Sequence, residues 1–312
     1  MRRPGGSATK ADGVLRGVCA LAVLLMLAVM VEIAYQVFSG AGSAFSKFGF
    51  GFLVHSAWEP NFGVFGSTVM IFGTLVSSAM ALLISTPLGI AIALYLAMLA
   101  PPRVRSVVGP LVEMLAAIPS VILGLWGILV LAPFLQKHLE PWLHHTFGFI
   151  PLFGSPQTVG ASVFTAGLVL TIMIVPIIAS LSRDLFLTVP RELQEGAAAL
   201  GATRWETVRG VVLPTTAPGV IAAALLGLGR ALGEAIAVTQ VIGAGNAIHA
   251  SLFRTGDTIA SRIADQFPSL VSNLHKSSLF YLAAILLVIG LITNLLSQRI
   301  ARRFRRQLGG VQ

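Results

Sequence analysis

The apolar residues of this chain fall in long runs, and the polar residues gather in short patches between them. Six runs are each near the ~20 residues that cross a bilayer. They are expected at roughly 15–38, 66–99, 108–132, 158–181, 218–243 and 278–298. Backbone groups inside lipid must be satisfied within the segment, so the runs are read as helices. Pro87, Pro119 and Pro176 lie inside runs and predict kinks there. The second run is long enough to tilt or to extend beyond the membrane.

Composition removes the main alternative. Of 312 residues, 55% are hydrophobic and 11% charged, against about 25% charged in ordinary soluble domains. So few charges could not solvate the surface of a soluble enzyme. Mean hydropathy is +0.87. The expected class is therefore an all-α polytopic membrane protein. The single cysteine, Cys19, excludes an intramolecular disulfide and is read as a small core residue.

The net charge of +9 would point to nucleic acid in a soluble chain. Here the basic residues sit between apolar runs, where they report orientation. With the N-terminus inside, 15 of the 20 Lys and Arg outside the runs fall on the inner side. They include Arg2, Arg3, Lys10 and Arg16 before the first run, and Arg299, Arg302, Arg303, Arg305 and Arg306 after the last. Both termini are thus expected in the cytoplasm, with lipid and no nucleic acid as the surroundings. The basic start resembles a signal peptide, but the run from Gly17 to Phe38 is long for one and contains Glu32. An uncleaved first helix is expected. The chain divides into a cytoplasmic arm (1–14), a transmembrane domain (15–298) and a basic tail (299–312).

The outer segments are longer than minimal turns. Residues 39–65 carry Phe45, Phe48, Phe50, Phe52, Trp58 and Phe62, as an interfacial segment would. Residues 133–157 hold Trp142 and the pair His144–His145, which adjacent in sequence make a poor metal site. No G-x-x-x-x-G-K-[ST] occurs, so ATP binding through a P-loop is not expected of this chain. No H-E-x-x-H occurs either. No catalytic residues are assigned, and a conduit or scaffold is expected rather than an enzyme.

Two features carry the functional reading. The first is the cytoplasmic segment 182–217, with Glu195-Gly-Ala-Ala-Ala-Leu-Gly201, then nine residues, then Val211-Val-Leu-Pro214. Arg191 to Leu200 reads as a short helix, Gly201 as its stop, and 202–212 as a second helix that Pro214 ends. Two short helices joined by a glycine turn make a docking element. The second feature is the pair Arg230 and Glu234 in the fifth run. An Arg at a helix centre costs about 2.5–3.5 kcal/mol on insertion scales, so it is not expected to face lipid. A spacing of four places both groups on one side, where they can pair. Gly227, Gly229 and Gly233 smooth the helix for close approach. The pair is either a lock between helices or a site on a translocation path, where the guanidinium fork would suit a tetrahedral oxyanion. Ser120, after Pro119, is a weaker path residue. Glu113 is expected at the opening of the third span.

On these residues the chain resembles the permeases of bacterial ABC importers, whose coupling pattern is E-A-A-x3-G-x9-I-x-L-P. Glu195, Ala197, Gly201, Leu213 and Pro214 match it. Gly196 stands where the family has Ala, and Val211 where it has Ile. More of the chain, about 60–300, resembles the C-type permeases of Pst phosphate transporters. The matching stretches are Ala116-Ala-Ile-Pro-Ser-Val121 with Gly124-Leu-Trp126, Trp58-x-Pro60 with Phe62-Gly63, Gly73-Thr-Leu-Val76, and Gly227-x-Gly-Arg-Ala-Leu-Gly-Glu234. After the last of these the family continues with Thr, and this chain has Ala235. The resemblance implies a six-helix, type I importer permease in the bacterial plasma (inner) membrane that moves inorganic phosphate inward. It implies a second related permease, two ATPase subunits that bind ATP and Mg, and an extracytoplasmic phosphate-binding protein, with no cofactor on this chain. Other readings are a permease for another oxyanion or solute, an ion-coupled secondary carrier, and a scaffold without a conduit.

Overall fold

The computed structural model of the protein describes residues 6–156 and 160–308, with the side chains of 12–156 and 160–300. Arg2 and Arg3 lie outside the described residues, as do the side chains of Lys10, Arg302, Arg303, Arg305 and Arg306. The described residues are mostly helical, and their β pairing is a lone antiparallel bridge between Glu59 and Val64.

The order of elements is α1 (Gly6–Gly40), α2 (Gly42–Phe48), α3 (Thr68–Leu99), α4 (Pro102–Ala116), α5 (Ser120–Phe147), α6 (Val163–Leu187), α7 (Arg191–Ala199), α8 (Arg204–Leu232), α9 (Ile236–Val241), α10 (Ile259–Gln266) and α11 (Asn273–Leu308). Six of them, α1, α3, α5, α6, α8 and α11, are long and apolar enough to cross a membrane.

The most enclosed of the six is α6. Ala166, Ile174 and Ile178 are fully buried on it, and it packs on α3, α4 and α8. The approach to α3 is close because α3 offers glycine: a Cβ on Gly89 would lie 2.8 Å from Ile178 Cγ2. Pro87 and Pro176 sit inside α3 and α6 without ending them, as membrane helices permit. At the other extreme, α1 packs chiefly on α11 and α2, and its side chains from Leu15 to Ile33 are exposed throughout, so Cys19 is not the core residue expected of it. That surface has lipid as its natural solvent.

The structure shifts three of the expected spans. The third does not run over 108–132. The chain breaks at Ala117–Pro119 and α5 starts at Ser120. Pro119 is extended (φ −57°, ψ 135°) and disfavours helix at the residue before it. Glu113 therefore belongs not to the opening of a span but to α4, where it meets Arg183 of α6 at 2.8 Å.

The fifth span starts and ends earlier than 218–243. Pro214 does not terminate the helix that begins at Arg204. The ladder widens to a π-turn over Val208–Val212 just before it, which accommodates the ring and its missing N–H. Thr215 and Thr216 hydroxyls donate to the carbonyls of Val211 and Val212 (2.6 and 2.8 Å). The helix then ends at Leu232. The sixth helix is longer than expected, beginning at Asn273 and continuing through the basic tail to Leu308.

The aromatic segment 39–65 is only partly interfacial. Phe50 and Phe62 are exposed, but Phe52 and Trp58 are buried and pack with Phe65, Leu282 and Tyr281 of α11. In the other outer segment, His144 of the His pair bonds the Phe153 carbonyl through Nδ1 (2.8 Å).

Candidate transport site and coupling loop

Arg230 lies in the last turn of α8, and Glu234 follows the glycine that ends it. The expected pairing is present, but across a break rather than along a continuous helix. Arg230 Nη2 stands 3.8 Å from Glu234 Oε2, with side-chain exposures of 48% and 6%. That separation is an ion pair without hydrogen-bond geometry, so the fork of donors is not consumed by its partner. The other carboxylate oxygen of Glu234 accepts the N–H of Ala237 (3.2 Å). The buried carboxylate thus faces the arginine on one side and holds the start of α9 on the other.

Ser120 is the first residue of α5 and is half-buried. The opening turns of α5 pack on α9, closely enough that a Cβ on Gly124 would lie 2.8 Å from Ala237 Cα. The break at Pro119 and the break at Gly233–Ala235 therefore flank one contact between α5 and α9.

The residues of the expected coupling pattern form a protrusion at the opposite end of α8. Glu195 and Gly196 are exposed and Ala197 is half-buried on α7. Gly201 has φ +83°, a region that L side chains rarely adopt. A Cβ there would meet nothing within 4 Å, so backbone conformation, not space, requires the glycine. Thr203 then caps α8 reciprocally with Glu206: the Glu206 N–H donates to Thr203 Oγ1 (3.3 Å), and Glu206 Oε2 accepts the Thr203 N–H (2.7 Å). Leu213 and Pro214 are half-buried on α8. Two residues that the spacing pattern does not single out stand out here. Leu200 is 91% exposed and Trp205 64%, which adds an apolar surface to the protrusion.

Sequence reasoning also missed a buried charged cluster. Arg262 on α10 and Asp257 just before it form an ion pair with both side chains 4% exposed. Arg262 Nη2 donates to Asn246 Oδ1 (2.6 Å), and its guanidinium lies over the Trp58 ring, 5.7 Å from the centroid. Gln266 Oε1 accepts from Trp58 Nε1 (2.7 Å) and sits 3.0 Å from His275 Nε2. Burial pushes the Asp257 carboxyl above its ordinary pKa, opposed by the Arg262 charge and by the Ser261 and Thr258 donors. In the charge count Arg262 was simply an outer loop cation. Its burial is visible only once Asp257, Asn246 and Trp58 are brought together.

The loop that this cluster holds folds back into the bundle. The first N–H groups of α6 donate to it, Val163 to the Arg254 carbonyl (3.1 Å) and Phe164 to Leu252 (2.9 Å), and the preceding Ser162 N–H donates to the Val241 carbonyl at the end of α9 (3.0 Å). These bonds satisfy donors that a helix start leaves unpaired.

Solved structures share this architecture. The chain is similar to a bacterial alginate ABC transporter crystallised with an alginate-bound periplasmic protein (TM-score 0.61, 18% identity, covering 95% of this chain and 97% of that one). It is also similar to the inward-facing MetNI methionine ABC transporter (TM-score 0.53, 21% identity, 80% and 99%). With six membrane-length helices, that likeness shows a multi-pass protein with the type I ABC importer permease fold. Residues 85–306 match the family model of binding-protein-dependent transport system inner membrane components. The phosphate transport system permease protein PstC of Pasteurella multocida is 45% identical over 92% of this chain and 89% of its own length. PstC of Mesorhizobium japonicum is 41% identical over 96% and 92%. The chain belongs to this family of binding-protein-dependent permeases and, within it, to the PstC group.

Proposed function

We propose that this chain is the membrane-spanning permease subunit of an ATP-driven importer for inorganic phosphate, forming half of the translocation path. The observation that carries the reading is the half-exposed Arg230 beside the buried Glu234 at a helix break, in a chain this similar to phosphate permeases. The guanidinium offers parallel N–H donors that match two oxygens of a tetrahedral anion. Glu234 orients the arginine and, by its negative charge, keeps the anion from being held too tightly. A conduit must release what it binds. Ser120, at the start of α5, would add a hydroxyl to the same path.

Both termini would lie in the cytoplasm, which puts the Glu195–Pro214 protrusion on the cytoplasmic side of the plasma membrane. There α7, Gly201, Leu200 and Trp205 would dock one of two ATPase subunits, which would bind the ATP and Mg. A second, related permease would complete the path, and an extracytoplasmic phosphate-binding protein would deliver the anion. The experiment is phosphate uptake in cells lacking this chain, restored by the wild-type protein and challenged with sulfate and molybdate. Restored uptake that phosphate alone competes supports the reading. Uptake of sulfate or molybdate in place of phosphate would assign the path to another oxyanion.

A further inference from the structure

The segment between α9 and α10 carries marks of a part held in place against resistance. Ala244 has φ +50°, a conformation that costs free energy and persists only when its surroundings fix it. Both ends of the segment are fixed by one residue. Arg262 pairs with Asp257 at its end and bonds Asn246 near its start (2.6 Å). Within the segment, the Gly245 N–H donates to the Gly256 carbonyl (2.7 Å) and the Gly256 N–H to the Ile242 carbonyl (3.1 Å). Beside Arg262, the Ser261 carbonyl lies 3.4 Å from the Thr239 hydroxyl of α9, which also donates to the Ala235 carbonyl (2.8 Å). At the other end of α9, the Ala237 N–H is bound by Glu234 (3.2 Å). Arg262, α9 and Glu234 are therefore linked through a single six-residue helix.

We infer that Arg262 is a positioning residue for the Arg230–Glu234 site: by clasping Asp257 and Asn246 it fixes α9, and α9 fixes the Glu234 carboxylate. The inference rests on the proposed role of that site in transport. Arg262 itself takes no part in handling the anion. It is buried, neutralised by Asp257 and stacked on Trp58, so its charge is committed. The physical requirement is rotational. A carboxylate set to face Arg230 on one oxygen and a helix N–H on the other loses that alignment when the helix can shift. Weakening the clasp frees α9 first and the carboxylate second.

The test uses the assembled transporter with Cys19→Ser, so that a single introduced thiol reports. Ala235→Cys places that thiol between Glu234 and α9, at a half-buried position. Its reaction with N-ethylmaleimide is followed in the purified complex, and phosphate uptake is measured in cells. Asn246→Ala removes one tie without touching a charge. Arg262→Lys keeps the ion pair and loses the fork. Each should label at least about tenfold faster than the parent, the scale of losing one charge-assisted hydrogen bond, with uptake reduced at a normal membrane level. Should Arg262→Lys fail to accumulate, Asn246→Ala carries the test alone. Unchanged labelling overturns the inference, and so does faster labelling with undiminished uptake. Arg230→Gln in the same background separates the two claims. If it leaves uptake intact, the transport role of the site fails, while the labelling still decides whether Arg262 sets the position of α9.

Discussion

The carbonyl oxygen of Asp257 occupies the space where a side chain on Gly73 of α3 would stand, in overlap with any Cβ built there. One residue on, Thr74 Oγ1 accepts the N–H of Ile259 (3.0 Å). The loop before α10 is thus seated on α3 by a missing side chain and a hydroxyl. Gly73→Ala must displace backbone, not a flexible side chain, and overpacking of this kind costs about 1–3 kcal/mol. A lower thermal midpoint of the detergent-purified protein is expected. Thr74→Val, which keeps the volume but strands a buried N–H, should lower it by a comparable amount.

Gly201 makes a different demand. Its φ of +83° sits in open space, so Gly201→Asp should leave the protein inserted and α3, α6 and α8 packed, yet stop uptake by misdirecting α7. Asn shares the tolerance of Asp for positive φ but adds no charge to the exposed turn, so Gly201→Asn should retain part of the activity. Membrane level, ATPase co-purification and uptake are measured together. Normal uptake by a fully inserted Gly201→Asp protein would remove the docking role.

Much of this architecture was legible in the sequence because hydropathy acts over whole segments. The six runs became six helices, and the motif around Glu195 and Gly201 became an exposed helix and a left-handed turn. Helix ends were less legible, for local reasons. The chain breaks ahead of the extended Pro119, whereas a helix runs through Pro214, because a π-turn over Val208–Val212 gives way to it. A proline carries no sign in sequence of which will happen. The i, i+4 spacing correctly paired Arg230 with Glu234, though the Gly233 break between them puts the carboxylate to a second use on Ala237. The Arg262 cluster was invisible because its members come from residues 58, 246, 257, 262, 266 and 275, with no spacing rule to join them.

The basic residues at both ends of the chain predict cytoplasmic termini. A reporter active only outside the cytoplasm should be silent when fused after Gln312 and active when fused near His144. The opposite pattern would invert the bundle and move the Glu195–Gly201 protrusion away from any cytoplasmic ATPase.

The account turns on whether Arg230 handles the anion or merely locks a helix end. Phosphate uptake by Arg230→Gln, Glu234→Gln and the double variant, each with the amount of assembled complex, separates the two. If the pair lies on the path, Arg230→Gln assembles and transports at least about tenfold less, as loss of one bidentate charged contact implies. Arg230→Lys then retains part of the activity, and the double variant remains inactive. If the pair is only a lock, each single change depletes the complex, and the double variant restores both assembly and uptake. Near-wild-type uptake by the double variant would contradict the account.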